Sequence, residues 1–289
     1  FLLERRFHLT NQTPRSWLVF QIKSWLVGGV LMAVVLGGLY GLLWYAGRGW
    51  SLWVWAGLLT LTVVVAKLFP LVILPIFYPA RPLDRPALAE RLHRLAEGTG
   101  LTLTGVFDLA LSKDTRKANA MLAGLGSSRR VYLSDTLLEA FSEEQIGVVF
   151  AHELGHHIHG HVWKLIALSA AATSVMVGLI HWRLDPFAGR PQEWTQAVAA
   201  LPQVLLIATL WPLLIGPITN AVSRSFERQC DREALRLTND PAAFRGAFEL
   251  LARMNLADPD PPRWEVILFH DHPPISQRIA LADTHVGGD

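Results

Sequence analysis

Charge is the first thing this 289-residue sequence lacks: only 17% of its residues are Asp, Glu, Lys or Arg, against about 25% in an average soluble domain. The shortage is concentrated in four places. No charged residue stands between Lys23 and Arg48, between Arg48 and Lys67, from Leu165 to Ile180, or from Thr195 to Ser223. Roughly 20 apolar residues suffice to cross a bilayer, so these runs are expected to be membrane spans rather than the buried helices of one large soluble core. The third run is short and draws on Val162, Trp163 and a snorkelling Lys164. Eleven tryptophans, with Trp17, Trp25 and Trp44 beside Tyr45 around the first run, fit an interfacial aromatic belt.

Cysteine is nearly missing too. Cys230 is the only one, which excludes an intrachain disulfide and is compatible with a reducing compartment. The net charge of +2 is too mild to argue for nucleic acid, and neither a basic run with interleaved aromatics nor a glycine-rich phosphate loop occurs. Residues 1–15 lack the charge-then-apolar order of a signal peptide. The sequence opens at Phe1 without a methionine and is expected to be a fragment of a longer protein.

Along the chain, a polar and basic start with Arg5, Arg6 and Arg15 precedes a first span over Trp17–Ala46. Gly47-Arg48-Gly49 turns it into a second span, Trp50–Tyr78, which Pro70, Pro75 and Pro79 should bend or end. Lys67 in this segment either snorkels or faces a wet interior. Residues 80–145 are soluble in character. Pro86–Glu97 reads as an amphipathic helix. Leu101–Leu111 and Arg130–Leu133 read as strands, with a loop and an extended stretch over 114–126 between them. Ser134-Asp135 should open a short helix. Ser142-Glu143-Glu144-Gln145 is a capping box, starting a helix expected to run on into the third span, about 162–182. A loop over His181–Glu193 leads to the fourth span, about 195–222, which continues as a polar helix to Leu237. Another helix is expected over Pro241–Met254.

The chemistry is carried by Ala151-His152-Glu153-Leu154-Gly155-His156. Histidines four residues apart stand one above the other on a helix, so both imidazoles can reach one metal ion. The intervening Glu153 can take a proton from a water held there. This HExxH pattern is the zincin signature. A zinc hydrolase needs a third protein ligand. The metzincin spacing asks for glycine at position 159 and histidine at 162, where this sequence has His159 and Val162. His157, His159 and His161 fall on other faces of the helix and are expected to be interfacial or solvated. Glu227 and Asp231 share a helix face. Taken alone, that pair reads as a solvated acidic face. Topology favours a ligand, because two crossings form a hairpin that returns the chain to the side on which His156 lies. Glu227 is therefore expected to complete the metal set, with Asp231 accepting the other N–H of a ligand histidine. His272, in His-Pro-Pro, is the candidate donor to a developing oxyanion, and Arg278 can pair with Asp231 or another carboxylate.

Several segments together resemble the Ste24-type CAAX prenyl proteases of peptidase family M48. They are Thr13-Pro14 before a span, Asn119-Ala120, the run Arg130-Val131-Tyr132-Leu133-Ser134-Asp135-Thr136-Leu137-Leu138, and the HELGHH segment. Ser223-Arg224 with Glu227 and Asp231, and His272-Pro273-Pro274 with Arg278-Ile279, follow in the family's order. The resemblance implies one Zn²⁺ per chain on His152, His156 and Glu227, with Glu153 as the base. It also implies that His272 assists at the transition state and that the stretch at Asn119 and Ala120 pairs with a substrate backbone as an added strand. Family members have seven membrane helices, so the four spans here imply an N-terminal truncation.

The expected fold class is a mainly α, multi-pass membrane protein: helical spans plus a zincin-like catalytic domain with a small β-sheet. Residues 1–79 would form a membrane hairpin and 80–289 the peptidase domain with two further spans. The expected function is a membrane-embedded zinc endopeptidase acting on a peptide or protein substrate, C-terminally prenylated by the resemblance, in contact with membrane lipid and not nucleic acid. Alternatives are an HtpX-like quality-control metalloprotease and a non-catalytic, zinc-containing membrane scaffold. By the positive-inside rule, the side bearing Arg5, Arg6, Arg15, Arg81, Arg85, Arg224 and Arg228 faces the cytoplasm, and the site with it.

Overall fold

The computed structural model describes residues 1–124 and 129–285. Leu125 and Gly126, at the end of the stretch expected over 114–126, lie outside the described residues. In chain order, α1 (Leu2–Arg6), α2 (Pro14–Tyr45), α3 (Trp50–Leu68) and α4 (Leu74–Phe77) come first. They are followed by β1 (Ala80–Pro82), α5 (Pro86–Glu97), β2 (Gly105–Leu109), β3 (Ala120–Ala123) and β4 (Arg130–Ser134). Then come α6 (Asp135–Ala140), α7 (Glu143–Ile158), α8 (His161–Leu184), α9 (Trp194–Ala199) and α10 (Leu201–Thr238). The chain closes with α11 (Pro241–Asn255), α12 (Arg263–Phe269) and α13 (Ile275–His285). The protein is mainly α-helical with one small mixed sheet, as expected.

The chain divides into two compact units. One consists of Gln21–Ala66 and Trp163–Thr219, the apolar lengths of α2, α3, α8 and α10. Leu43, Trp50, Val54, Val177, Leu184, Ala200 and Val204 form its core. Trp50 Nε1 donates to Asp185 (3.3 Å) and Trp55 Nε1 to the carbonyl of Ala170 (3.0 Å), so two indole N–H groups of this unit are matched, while those of Trp44 and Trp211 are buried without a partner. The most apolar windows of the four long helices are only 6 to 11% buried. Such surfaces, with Trp25, Val30, Leu52, Leu213 and Leu214 exposed, suit lipid tails and not water. The protein is a multi-pass membrane protein.

The other unit comprises Phe1–Phe20, Lys67–Val162 and the chain from Asn220 onward. Its sheet has the order β1-β2-β4-β3. β2 and β4 are parallel, while β1 and β3 lie antiparallel at the two edges. Leu88, Leu92, Val131, Leu133, Leu137, Ile146, Phe150, Leu154 and Phe244 make a core from α5, the sheet, α6, α7 and α11. At the prolines of the second hydrophobic segment, α3 passes into a π-helical turn at Phe69–Ile73. Proline removes a helical hydrogen bond, and the carbonyl of Pro70 accepts instead from Tyr132 Oη at 3.1 Å.

Two expectations about continuity are corrected. The metal-motif helix does not run into the third span: α7 ends at Ile158, and Gly160 adopts φ +64° before α8 begins at His161. Left-handed backbone of this kind is open to glycine at little cost and is the usual helix stop. α8 then runs to Leu184, so the loop expected from His181 starts later, as 3-10 turns at Asp185–Phe187 and Pro191–Glu193. The fourth hydrophobic run is likewise split, α9 ending at Ala199 and α10 starting at Leu201. Pro202 then occupies the first turn of α10, where a missing N–H costs no bond.

Candidate metal centre

The capping box at Ser142 and Gln145 is formed, which fixes the start of α7 and hence the phase of its faces. His152 and His156 fall on one face, their rings 5.3 Å apart and edge-on at 73°. Glu227 and Asp231 fall on one face of α10. The two helices touch where α7 carries no side chain: a Cβ built on Gly155 would lie 3.0 Å from Cys230 Cα and 3.1 Å from Cys230 Sγ. This close approach lets short side chains meet. Glu227 Oε2 lies 3.1 Å from His152 Nε2, and Glu227 Oε1 lies 3.1 Å from His156 Nε2. One ligand atom from each of these three residues lies within 4.8 Å of the others.

The far nitrogen of His152, Nδ1, lies 2.9 Å from Asp231 Oδ1. A carboxylate accepts only, so the neutral ring that metal binding requires keeps its proton on Nδ1 and has its Nε2 lone pair on the side of Glu227. Asp231 is held in turn by Arg278, whose Nε and Nη2 donate to Oδ2 and Oδ1 at 2.9 and 2.5 Å. The guanidinium also lies over the Phe248 ring, 3.8 Å from its centroid, and Arg278 and Asp231 are both buried. His272 Nε2 reaches to 3.4 Å from Glu227 Oε2, while its Nδ1 lies 2.7 Å from Asp271 Oδ1. That pairing lifts the His272 imidazole above its ordinary pKa and holds the Asp271 carboxyl below its own. Sequence reasoning named Arg224 in a motif and for orientation but gave it no role in the site; its Nη1 donates to the carbonyls of Val266 and His270 at 2.7 and 2.5 Å. It ties the His-Pro-Pro turn to α10, the helix of Glu227.

A cleft of about 580 Å³ opens onto the group, lined by Asn119, Ala120, His152, Glu153, His272 and Arg278 among others. β3, an edge strand of the sheet, meets the cleft at its first residue, Ala120. The segment before β3 is anchored by the last residue of β4 and the residue after it. Ser134 Oγ accepts from the Asn119 and Leu137 N–H groups at 3.0 and 3.1 Å. Asp135 Oδ1 accepts from the Leu111 and Ser112 N–H groups at 3.0 and 2.8 Å.

Glu153 faces the same cleft, and burial raises its carboxyl above the ordinary range, partly offset by His152 and His156. Burial works against a charged His152, but the carboxylates of Asp231 and Glu227 prevail and hold it at about 9. The cluster therefore favours positive charge between these side chains. Glu227 Oε2 is buried without a hydrogen-bond partner, with His152 Nε2 3.1 Å and His272 Nε2 3.4 Å away. A buried carboxylate whose two oxygens face His152 and His156, one of them orphaned, is a donor set of the kind that fits zinc.

Of the three remaining histidines of the motif region, only His161 departs fully from the expected exposure; His157 and His159 are partly exposed. His157 Nε2 lies 3.2 Å from the Leu122 carbonyl of β3, and burial lowers its pKa. His159 Nε2 is 3.6 Å from Glu233. His161 is fully buried, with Nδ1 3.4 Å from His156 Nδ1. The signal for this last placement was in the sequence: glycine at 160 stops a helix, so counting faces past it misplaces His161.

Comparison with known proteins adds three findings. The profile of peptidase family M48 matches residues 82–286, and that of the CAAX prenyl protease N-terminal region, five membrane helices, matches 1–79. The chain is 26% identical to an uncharacterized metalloprotease, YhfN, of Bacillus subtilis, over 96% of this chain and 66% of that protein. It is 27% identical to a CAAX prenyl protease 1 homolog of Oryza sativa subsp. japonica, over 98% and 67%. The chain thus spans about two thirds of these relatives' length. The crystal structure of Ste24p from S. mikatae superposes with a TM-score of 0.84 at 22% identity, over 98% of this chain and 70% of that one. That likeness concerns the fold.

Proposed function

From the premise that the chain belongs to peptidase family M48, we propose that it is a membrane-embedded zinc endopeptidase of the CAAX prenyl protease type. The observation that carries this reading is the meeting of His152, His156 and Glu227 beside Glu153, at a cleft lined by Asn119 and Ala120 at the start of the edge strand β3. His152, His156 and Glu227 would hold the ion. When bound, zinc supplies a Lewis acid that lowers the pKa of water to about 7.

The chain's own residues do the rest. Glu153 takes the proton of the attacking water and returns it to the departing amine. Its raised pKa brings it closer to the range in which one carboxyl can serve as base and then acid. His272 stands at the rim of the cluster as a cationic donor for the developing oxyanion. Asn119 and Ala120 lie at the start of the edge strand β3, along which an extended peptide would add as a further strand. Asp231 and Arg278 fix the His152 ring. The division into a hairpin over 1–79 and a peptidase domain over 80–289, and a site on the cytoplasmic side, belong to the same reading.

The relatives named as CAAX prenyl proteases favour a C-terminally prenylated peptide as substrate. Incubating the detergent-purified protein with a farnesylated C-terminal peptide, the unprenylated peptide and an unfolded membrane protein tests this. Release of the terminal tripeptide from the farnesylated peptide alone is expected, with Glu153→Gln lowering the rate about 10²–10⁴-fold while retaining zinc. Cleavage of the unfolded membrane protein alone would point to the quality-control alternative. Zinc binding with no peptide cut, in wild type and Glu153→Gln alike, would leave the scaffold.

A further inference from the structure

The second metal-motif histidine has an outer partner quite unlike that of the first. His161 opens α8, directly after the left-handed Gly160, and its side chain is completely buried. Its ring stacks on Phe226, with centroids 4.1 Å apart and planes within 8°. Its Nε2 lies 3.2 Å from Gln229 Oε1. Its Nδ1 lies 3.4 Å from His156 Nδ1 and 3.5 Å from Cys230 Sγ. Phe226, Gln229 and Cys230 are spaced i, i+3, i+4 on α10 and so share one face, beside the face that carries Glu227 and Asp231.

These contacts determine where the protons are. A neutral imidazole has one N–H and one lone pair. The Gln229 carbonyl oxygen only accepts, which places the His161 proton on Nε2. The lone pair of His161 Nδ1 then faces two groups that can donate, the Nδ1–H of His156 and the thiol of Cys230. With its proton on Nδ1, His156 presents the Nε2 lone pair on the side of Glu227, whose Oε1 is 3.1 Å away. We infer that His161 is a positioning residue: held by Gln229 and Phe226, it fixes the tautomer and ring orientation of His156 for metal binding. The inference rests on the metal-centre reading above.

The chemistry explains why the two ligand histidines have unlike partners. His152 is oriented by a carboxylate, and the site already holds three acids in Glu153, Glu227 and Asp231. A neutral imidazole behind His156 orients it equally well and adds no further negative charge. Outer partners of metal-bound histidines typically change affinity about 10–100-fold when removed.

The test is zinc affinity, measured by chelator competition on the detergent-purified chain, with thermal melting of the metal-free protein as the folding control. His161→Phe keeps the stacked ring and removes the acceptor, whereas His161→Asn keeps an acceptor near the position of Nδ1. Zinc affinity should fall about 10–100-fold in His161→Phe and stay close to wild type in His161→Asn. On the far side of the relay, Gln229→Leu should weaken zinc and Gln229→Glu should not; this pair decides the matter if His161→Phe fails to fold. Wild-type affinity in both His161→Phe and Gln229→Leu would overturn the inference, as would equal losses in His161→Phe and His161→Asn. A second zinc equivalent abolished by Cys230→Ser would also overturn it, because His156, His161 and Cys230 would then be ligands of another ion. Absence of zinc from the wild-type protein would instead sink the metal-centre reading itself.

Discussion

Arg278 holds Asp231 by two parallel hydrogen bonds, 2.9 and 2.5 Å long, in a setting where both side chains are buried. Asp231 Oδ1 also faces His152 Nδ1, so one carboxylate serves both the fold and the metal ligand. The two roles separate by mutation. Asp231→Asn leaves a buried guanidinium without its counter-ion, which should cost about 3–5 kcal/mol in a thermal melt. Combining Asp231→Asn with Arg278→Met should recover most of that stability. Zinc affinity should stay about 10–100-fold weak in both proteins, because neither has a carboxylate to orient His152. Recovery of affinity together with stability would contradict this.

Glu227→Gln preserves the shape of the proposed third ligand and removes its charge. Metal content, measured by elemental analysis after dialysis, should drop from about one zinc per chain to near none. The helical signal should persist, since the core of this unit is built from apolar side chains of α5, the sheet, α6, α7 and α11. A variant that still retains a full equivalent of zinc would refute Glu227 as a ligand.

Gly155→Ala adds a methyl group with no room to occupy it, 3.0 Å from the backbone of Cys230. Overpacking of this kind costs about 1–3 kcal/mol. Here it should also part α7 from α10, weakening zinc more than the lost stability alone would predict. Titration of zinc into the variant at a temperature where it remains folded measures the difference.

Ser134→Ala removes the N-cap of α6 and the acceptor for the Asn119 N–H at once. A lost cap costs about 1 kcal/mol. Because Asn119 leads into the strand at the cleft, KM for an extended peptide should rise while kcat changes little. An equal fall in kcat with KM unchanged would count against strand addition.

Much of this architecture could be read in the sequence because its causes are local. Charge-free runs give spans regardless of tertiary structure, and α7 follows from a capping box and the spacing of His152 and His156. Glu227 was reached by counting crossings, which needs only their number. What escaped depends on contacts that no periodicity encodes. His161 was assigned to the surface because α7 and α8 were read as one helix; the stop at Gly160 redirects that side chain into the interior. Gly155 has no chemistry to notice, and its role appears only once Cys230 is opposite. Arg224 serves through two carbonyls more than 40 residues away in sequence, and carbonyls carry no residue signature.

β3 borders the cleft as an outer strand only four residues long, between Asn119 and Gly124. In the proposed strand addition a ledge of this length would contact only the backbone of a bound chain, so it would register direction and extension and be blind to its letters. Whatever selectivity the protein has must then come from elsewhere along the cleft, and unrelated sequences with a common terminal feature would be handled alike.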